Sequence, residues 1–214
     1  MITLDIISDP ICPWCYIGWA RLARALESRP NHPFTIEWHP FQLNPDMAAG
    51  GMDRREYLEH KFGGTEGAVR AYAPVVEHAT AAGLTLHLDR IARTPNTIDA
   101  HRLIHWAGIE GRQTPMVLSL FRAYFTEGRD IGAQATLLDL AEGVGMDRAM
   151  VAQLLAGDAD VADIRARDAH ARSRGVTGVP TFIVAGQHAL SGAQPPEVWV
   201  EVIDDIAAQP ADDA

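Results

Sequence analysis

The chain's only two cysteines, Cys12 and Cys15, bracket Pro13 and Trp14 where one kind of periodicity gives way to another. Before them, "ITLDIIS" (residues 2–8) mixes β-branched and apolar residues and reads as a buried strand. After Pro13, the residues Ile17, Ala20, Leu22, Ala23 and Leu26 recur at helical spacing until Arg29-Pro30 ends the run. "FTIEWHPF" (34–41) then alternates as a second strand would. The thiols therefore stand at a strand-to-helix junction, with Cys12 at the helix N-terminus. Unpaired N–H groups and the macrodipole favour an anion there. Cys15 lies one turn on, close enough to bridge, and such a pair can shuttle between dithiol and disulfide.

Three other uses of two cysteines fit less well. Half a zinc site needs a second pair of ligands, and there is no second CxxC; His101 and His105, four apart on an expected helix, have no Cys or Glu motif beside them. A structural disulfide closing so short a loop constrains little of the unfolded chain. Two inert core thiols do not explain the adjacent Pro and Trp or the helix-start position.

The rest of the chain places the motif in a larger plan. A long helical stretch follows, with segments at 53–63, 65–83, 96–111, 114–128, 133–145, 147–157 and about 159–174, each carrying an apolar face; Asn96, Thr114 and Asp147 are the expected N-caps. Strands return in "PTFIVAG" (180–186) and "HALSG" (188–192), a hairpin, and a final helix spans 196–209. The tail "PADDA" is expected to fray. There is no internal repeat. Strand–helix–strand, a helical block, then hairpin–helix implies an α/β protein whose single sheet is assembled from both chain ends. The expected division is 1–46 with 175–214 as the sheet-bearing domain and 47–174 as an inserted helical domain.

Composition narrows the partners. Of 214 residues, 47% are hydrophobic and 21% charged, enough for a full core without a disulfide staple. The formal net charge of −10, with no stripe of Lys or Arg, argues against nucleic acid. No apolar run approaches the roughly 20 residues that span a bilayer, and the start "MITLDIISDP" has no basic n-region. A cytoplasmic location is expected, with no membrane partner.

"GVTGVPTF" (175–182) puts Pro180 at the start of an expected strand, where proline marks an edge, a bulge or a cis peptide. With that segment the chain resembles the thioredoxin superfamily, in which a cis-proline loop faces the CxxC. The order of elements narrows the resemblance to the DsbA-like branch, whose thioredoxin fold is interrupted by a large all-helical insertion. "DPICPWCYIG", "WHPFQLNP", "NTIDAHRLIHWA" and "GVTGVPTFIV…LSGAQP" look like the FrnE-type subfamily, in a branch shared with 2-hydroxychromene-2-carboxylate isomerases and kappa-class glutathione transferases.

The resemblance implies a thiol–disulfide oxidoreductase acting on protein thiols and disulfides or on glutathione as co-substrate. It implies no metal and no bound cofactor beyond a redox-active Cys12–Cys15 disulfide, and relatives often form homodimers. Cys12 would be the exposed nucleophile, Cys15 the buried resolving thiol, and Pro180 the cis-proline. Pro13, Trp14, Asn44, Asn96 and the Val179 backbone would border the substrate. Ser191 and Gly192 precede the last helix, where relatives bind the glutathione γ-glutamyl carboxylate through helix-terminal N–H groups. Three departures matter. The isomerases and kappa transferases carry Ser at the first cysteine position, where this chain has Cys12. Their Ser-Asp is Ser191-Gly192 here. The buried carboxylate of some thioredoxins is replaced by Ile6, and strand alternation does not put Asp5 or Asp9 in its place. A glutathione-dependent isomerase or transferase is the alternative activity, and a non-enzymatic peptide-binding module the alternative class. Trp38, His39 and Trp106 are expected in core or rim packing. Met116, Phe121, Tyr124 and Phe125 fall at the helical spacing of a core, or could line a cleft over the disulfide.

Overall fold

The computed structural model describes residues 1–208; the expected frayed tail and the last residue of the final helix lie outside them. Strand β1 (Ile2–Ser8) runs into helix α1 (Pro13–Ser28), and β2 (Phe34–Pro40) returns parallel to β1 with Ile6 opposite Trp38. Parallel neighbours need a crossover, which α1 supplies. Near the C-terminus, β5 (Thr181–Val184) pairs antiparallel with β1, setting Phe182 against Ile6, and β6 (His188–Ser191) closes the hairpin, giving the order β2-β1-β5-β6. Helix α9 (Pro196–Ala208) packs beside α1. The sheet thus draws on both chain ends.

Between β2 and β5 lie α2 (Arg54–Phe62), α3 (Thr65–Ala81), α4 (Ile98–Ile109), α5 (Gln113–Phe121), α6 (Gln134–Gly143), α7 (Arg148–Leu155) and α8 (Val161–Ser173). Asp147 caps α7, its carboxylate accepting from Ala149 N and Met150 N. The other two expected caps move, by one residue at α4 and by two at α5. Thr97 is the cap of α4, while Asn96 Oδ1 accepts from Ile98 N at 2.9 Å. Arg112 is the cap of α5, because the Thr114 hydroxyl is engaged by Trp38 Nε1 at 2.9 Å. The expected helix at 114–128 leaves α geometry at Phe121 and continues as a π-helical turn, Arg122–Thr126. Ala123, Tyr124 and Phe125 in this turn are all completely buried. A short ladder, β3 (Met52–Asp53) with β4 (Arg93–Thr94), was not expected; two-residue strands carry no readable alternation.

One continuous core runs from the sheet into the helices. Leu4, Ile6, Leu22, Phe182 and Trp199 fill the layer between β1, β5, α1 and α9, with the Phe182 and Trp199 rings edge-on at 4.8 Å. The same cluster includes Leu103, Phe121, Tyr124 and Phe125 from the helical block, as well as both cysteines. Trp38, Trp106 and Met116 are buried in it, while His39 is half-buried and bonds Asp5 at 2.8 Å. Among the described residues, no helix is long and apolar enough to cross a membrane.

Candidate active site

Cys12 occupies the N-cap position of α1 in extended geometry, with Pro13 opening the helix and no acidic residue in the first turn. Its backbone is fixed on both sides: the amide donates to Asp9 O at 2.9 Å, and the carbonyl accepts from Cys15 N at 3.1 Å. Both thiols are free. The Val179–Pro180 peptide is cis, and the Cys12 thiol donates to Val179 O at 3.5 Å. The motif and the proline loop, 167 residues apart in sequence, therefore meet at sulfur. Gly18, one turn beyond Cys15, makes the approach possible: a Cβ there would stand 3.0 Å from Pro180 Cγ and 3.3 Å from Phe182 Cζ.

The expected contrast in exposure needs correction. Cys15 is 1% exposed, but Cys12 is only 4% exposed. Cys12 is roofed by the proline loop and the helical block, so what distinguishes it is its place in the wall of a cleft of about 260 Å³, not an open surface. Burial and the neighbouring Cys12 push the Cys15 thiol well above its usual range, opposed in part by the Ser8 hydroxyl and the Asp9 amide.

The cleft is apolar near the sulfur, with Ile11, Trp14, Leu43 and Val75, and cationic beyond it. Arg54, at the start of α2, is 6% exposed. Its guanidinium bonds only neutral oxygens: Tyr72 OH at 2.6 Å, Thr94 Oγ1 at 3.2 Å and Tyr124 OH at 3.4 Å. It also faces the Tyr72 ring at 5.3 Å. The exposed Lys61 donates to Tyr57 OH at 2.7 Å. Among the described residues, no carboxylate pairs with either cation.

The other expected site residues divide. Pro13, Trp14 and Val179 line the cleft. Trp14 tilts against the His78 ring at 5.3 Å, which makes it a contact between α1 and the helical block. Asn44 borders the cleft indirectly, its Oδ1 accepting from Tyr57 OH at 3.0 Å. Asn96 does not reach the cleft: its side chain donates to Met47 O at 2.6 Å and accepts from Gln42 Nε2 at 3.2 Å, pinning the loop after β2. Ser191 and Gly192 border a separate groove of about 490 Å³ with Val179 and Pro180. Gly192 N is already spent on Pro180 O at 2.8 Å, and α9 opens on Pro195-Pro196, which have no N–H to offer, followed by Glu197. The amide cradle expected for a carboxylate is absent at those positions. Of the paired histidines, His101 is buried and His105 half-buried. Ligand atoms from Asp5, Glu37 and His39 do come within 4.8 Å of one another, but His39 is held between Asp5 and Arg167.

Sequence reasoning missed a second layer behind the thiols. Strand β1 ends at Ser8, so alternation no longer governs Asp9, whose side chain turns inward and is 0% exposed. Its two oxygens accept from Leu43 N at 2.7 Å and Ile11 N at 3.3 Å, tying the Cys12 loop to the loop after β2. Burial pushes its carboxyl up to about 7 despite those bonds. His101 Nε2 lies 3.8 Å from Asp9 Oδ1, and burial lowers the imidazole to about 4. The only signal in the sequence was an acidic residue in an apolar stretch just before the motif.

Residues 3–204 match the model of the DSBA-like thioredoxin domain. The chain is 29% identical to a probable DsbA oxidoreductase, SCO1869 from Streptomyces coelicolor, with a TM-score of 0.88 over 100% of this chain and 93% of that one. It is 26% identical over 210 residues to the uncharacterized protein YwbO of Bacillus subtilis (strain 168), spanning 95% of this chain and 96% of that protein. The fold is also shared with the cytosolic disulfide reductase DsbM of Pseudomonas aeruginosa, solved with GSH, at 22% identity and a TM-score of 0.66 over 97% of this chain and 100% of that one. A thioredoxin-type sheet, a helical block interposed between its halves, and a family match over nearly its whole length make this chain a member of the DsbA-like thioredoxin domain family.

Proposed function

We propose that this protein is a thiol–disulfide oxidoreductase in which Cys12 is the nucleophile and Cys15 the resolving thiol. The observation that carries the reading is the meeting of the Cys12 thiol, at the positive end of α1, with the Val179 carbonyl at 3.5 Å inside a cleft, while Cys15 lies protonated one turn beneath. Cys12 as thiolate attacks one sulfur of a disulfide R–S–S–R; the other sulfur leaves with the electron pair, and a Cys12–S–S–R mixed disulfide remains. Cys15 then loses its proton and attacks the Cys12 sulfur, expelling R–S⁻ and leaving the protein oxidised. The reverse sequence oxidises a dithiol substrate. Once the Cys12 thiol gives up its bond to it, the strand-like carbonyl of Val179 suits an extended peptide or the backbone of glutathione.

The cations favour glutathione or another carboxylate-bearing thiol over an uncharged one. A guanidinium as buried as Arg54 with only neutral partners is costly unless an anion completes it. Glutathione brings two carboxylates to a cleft of suitable size. A reducing, cytoplasmic setting fits that partner.

Trapping tests the assignment. Incubated with oxidised glutathione, Cys15→Ser is expected to accumulate one glutathione on Cys12, read as intact mass, whereas Cys12→Ser acquires none. Equal labelling of the two variants overturns the assignment of roles. Retained isomerase or transferase turnover in Cys15→Ser, with no exchange in the unaltered protein, establishes the glutathione-dependent alternative instead.

A further inference from the structure

Alternation along the strands sends Leu4, Ile6 and Phe182 to the layer shared with α1 and α9, and Asp5, Ile7 and Ile183 to the opposite face of the sheet. Helix α8 packs on that second face, where Ala171 joins Ile7 and Phe41 in one apolar cluster. The contact is made with small side chains. Ala166 and Ala171 stand on the side of α8 toward the sheet, and the β5–β6 turn contributes Gly186, so a groove of about 480 Å³ remains between helix and sheet. That volume is in the range of small-molecule sites, roughly 300–1,000 Å³. The groove shares no lining residue with the cleft beside Cys12. Its floor is apolar, with Ile7 and Ala171 buried and Val176 and Ile183 half-buried.

The rim is cationic. Arg167, His170 and Arg174 follow at intervals of three and four residues, which places them along one side of α8 and its cap. The half-buried Arg167 donates to His105 Nδ1 at 3.2 Å and His39 Nδ1 at 3.4 Å, while the Asp163 carboxylate stands off at 3.9 Å. An arginine can only donate, so both imidazoles present a bare Nδ1, and His39 gives its Nε2–H to Asp5 Oδ1 at 2.8 Å. The one carboxylate that lines the groove, Asp5, is thus already bonded. Arg174, the cap of α8, is exposed, and among the described residues its guanidinium has no hydrogen-bond or ion-pair partner. An apolar floor beside an unanswered guanidinium matches an anion with an apolar body. The floor gains from burying hydrocarbon, and the guanidinium takes a carboxylate through two parallel N–H···O bonds. A bare, strongly hydrated anion would use only the second.

We propose that this groove binds a small amphipathic carboxylate, its aromatic or aliphatic body on the Ile7–Ile183 floor and its carboxylate on Arg174. Arg167 supplies a second positive charge on the same wall. The chain as a whole carries a formal −10, so general attraction of protein for anion does not account for such binding, and the local guanidiniums must. The site stands apart from the thiols and does not depend on the exchange reading. Its chemistry is binding alone, with no bond made or broken.

Isothermal titration of the full chain with 4-phenylbutyrate tests the site. One equivalent is expected to bind, half-saturating at or below about 1 mM. Arg174→Gln removes the charge at an exposed position, and Ala166→Leu, also at an exposed position, fills the groove with a side chain suited to a helix. Each is expected to weaken binding by at least about tenfold. 4-Phenylbutanol keeps the body and loses the charge, and acetate keeps the charge and loses the body; both are expected to bind at least about tenfold more weakly. Arg54→Met, in the Cys12 cleft, is expected to bind the probe as the unaltered protein does. No saturable binding up to about 10 mM overturns the site, as does unaltered binding in either groove variant. Loss of binding in Arg54→Met alone overturns it by placing the carboxylate in the Cys12 cleft. Equal affinity for 4-phenylbutanol or for acetate overturns the amphipathic assignment. Glutathione capture at Cys12 is read separately, so the exchange reading stands or falls on its own.

Discussion

Asp9 and His101 are both buried, and burial moves them in opposite directions: the carboxyl up to about 7, the imidazole down to about 4. In the unfolded chain at pH 5–6, Asp9 has lost its proton and His101 holds one. In the folded chain Asp9 holds the proton and His101 does not. Folding thus moves a proton from ring to carboxyl at constant total, and the pair adds no pH dependence to stability between about 4 and 6.5. Removing either partner exposes the other. In Asp9→Asn the remaining histidine binds more protons unfolded, so stability should rise with pH across that window by about 1.4 kcal/mol per unit. In His101→Phe the remaining carboxyl binds more protons folded, so stability should fall as pH rises from about 4 to 7 by a similar slope. Urea unfolding across pH 4–8 measures both signs; parallel, flat profiles for the two variants would contradict the pairing. Neither residue was legible beforehand as a partner of the other: burial of a polar side chain depends on where a strand stops, and Asp9 begins one residue after β1 ends.

The strand–helix–strand start and the closing hairpin and helix were legible, because the strands are β-branched or apolar runs bounded by turn residues and the helices repeat apolar residues at a period of about 3.6. The π-turn at Arg122–Thr126 and the β3–β4 ladder were not, since each is a tertiary accommodation made by long-range packing. Helix α1 shows what depends on such accommodation. It approaches the Pro180 loop through Gly18, and a Cβ already meets Pro180 at 3.0 Å. Gly18→Val should therefore displace the loop, costing about 1–3 kcal/mol and weakening the thiol–Val179 contact. Glutathione exchange should slow while helix content stays constant by circular dichroism. Unchanged exchange would show that the loop need not touch α1.

Across the whole molecule, charge and site run in opposite directions. The chain carries a formal −10, yet the cleft beside Cys12 presents Arg54 and Lys61. Cys12 caps the N-terminal end of α1 and shares its cleft with the buried guanidinium, while Pro13-Trp14 adds no cation within the motif. A reduction potential between the thioredoxin value of about −270 mV and the DsbA value of about −120 mV is expected. Arg54→Met should make it more negative. Equilibration with glutathione buffers measures both; a less negative potential in Arg54→Met contradicts the electrostatic role. The sequence showed the motif and its fold, but not this inverted local charge, because Arg54 lies 42 positions from Cys12 and only the packing of α2 over the cleft brings it near.

The tilt of Trp14 against His78 fastens α1 to α3 beside a cleft whose sulfur is only 4% exposed. That contact is expected to act as a size filter. A folded protein delivers a rigid surface disulfide poorly to a sulfur that is 4% exposed in a cleft wall, whereas a tripeptide or an unfolded segment can thread in. Thiol reagents graded by bulk should reveal the filter as a steep fall in rate at Cys12: small iodoacetamide fast, a polymer-bearing maleimide slow, and Trp14→Ala levelling the two. Under the proposed exchange, the protein would discriminate among disulfides by girth and flexibility before chemistry begins.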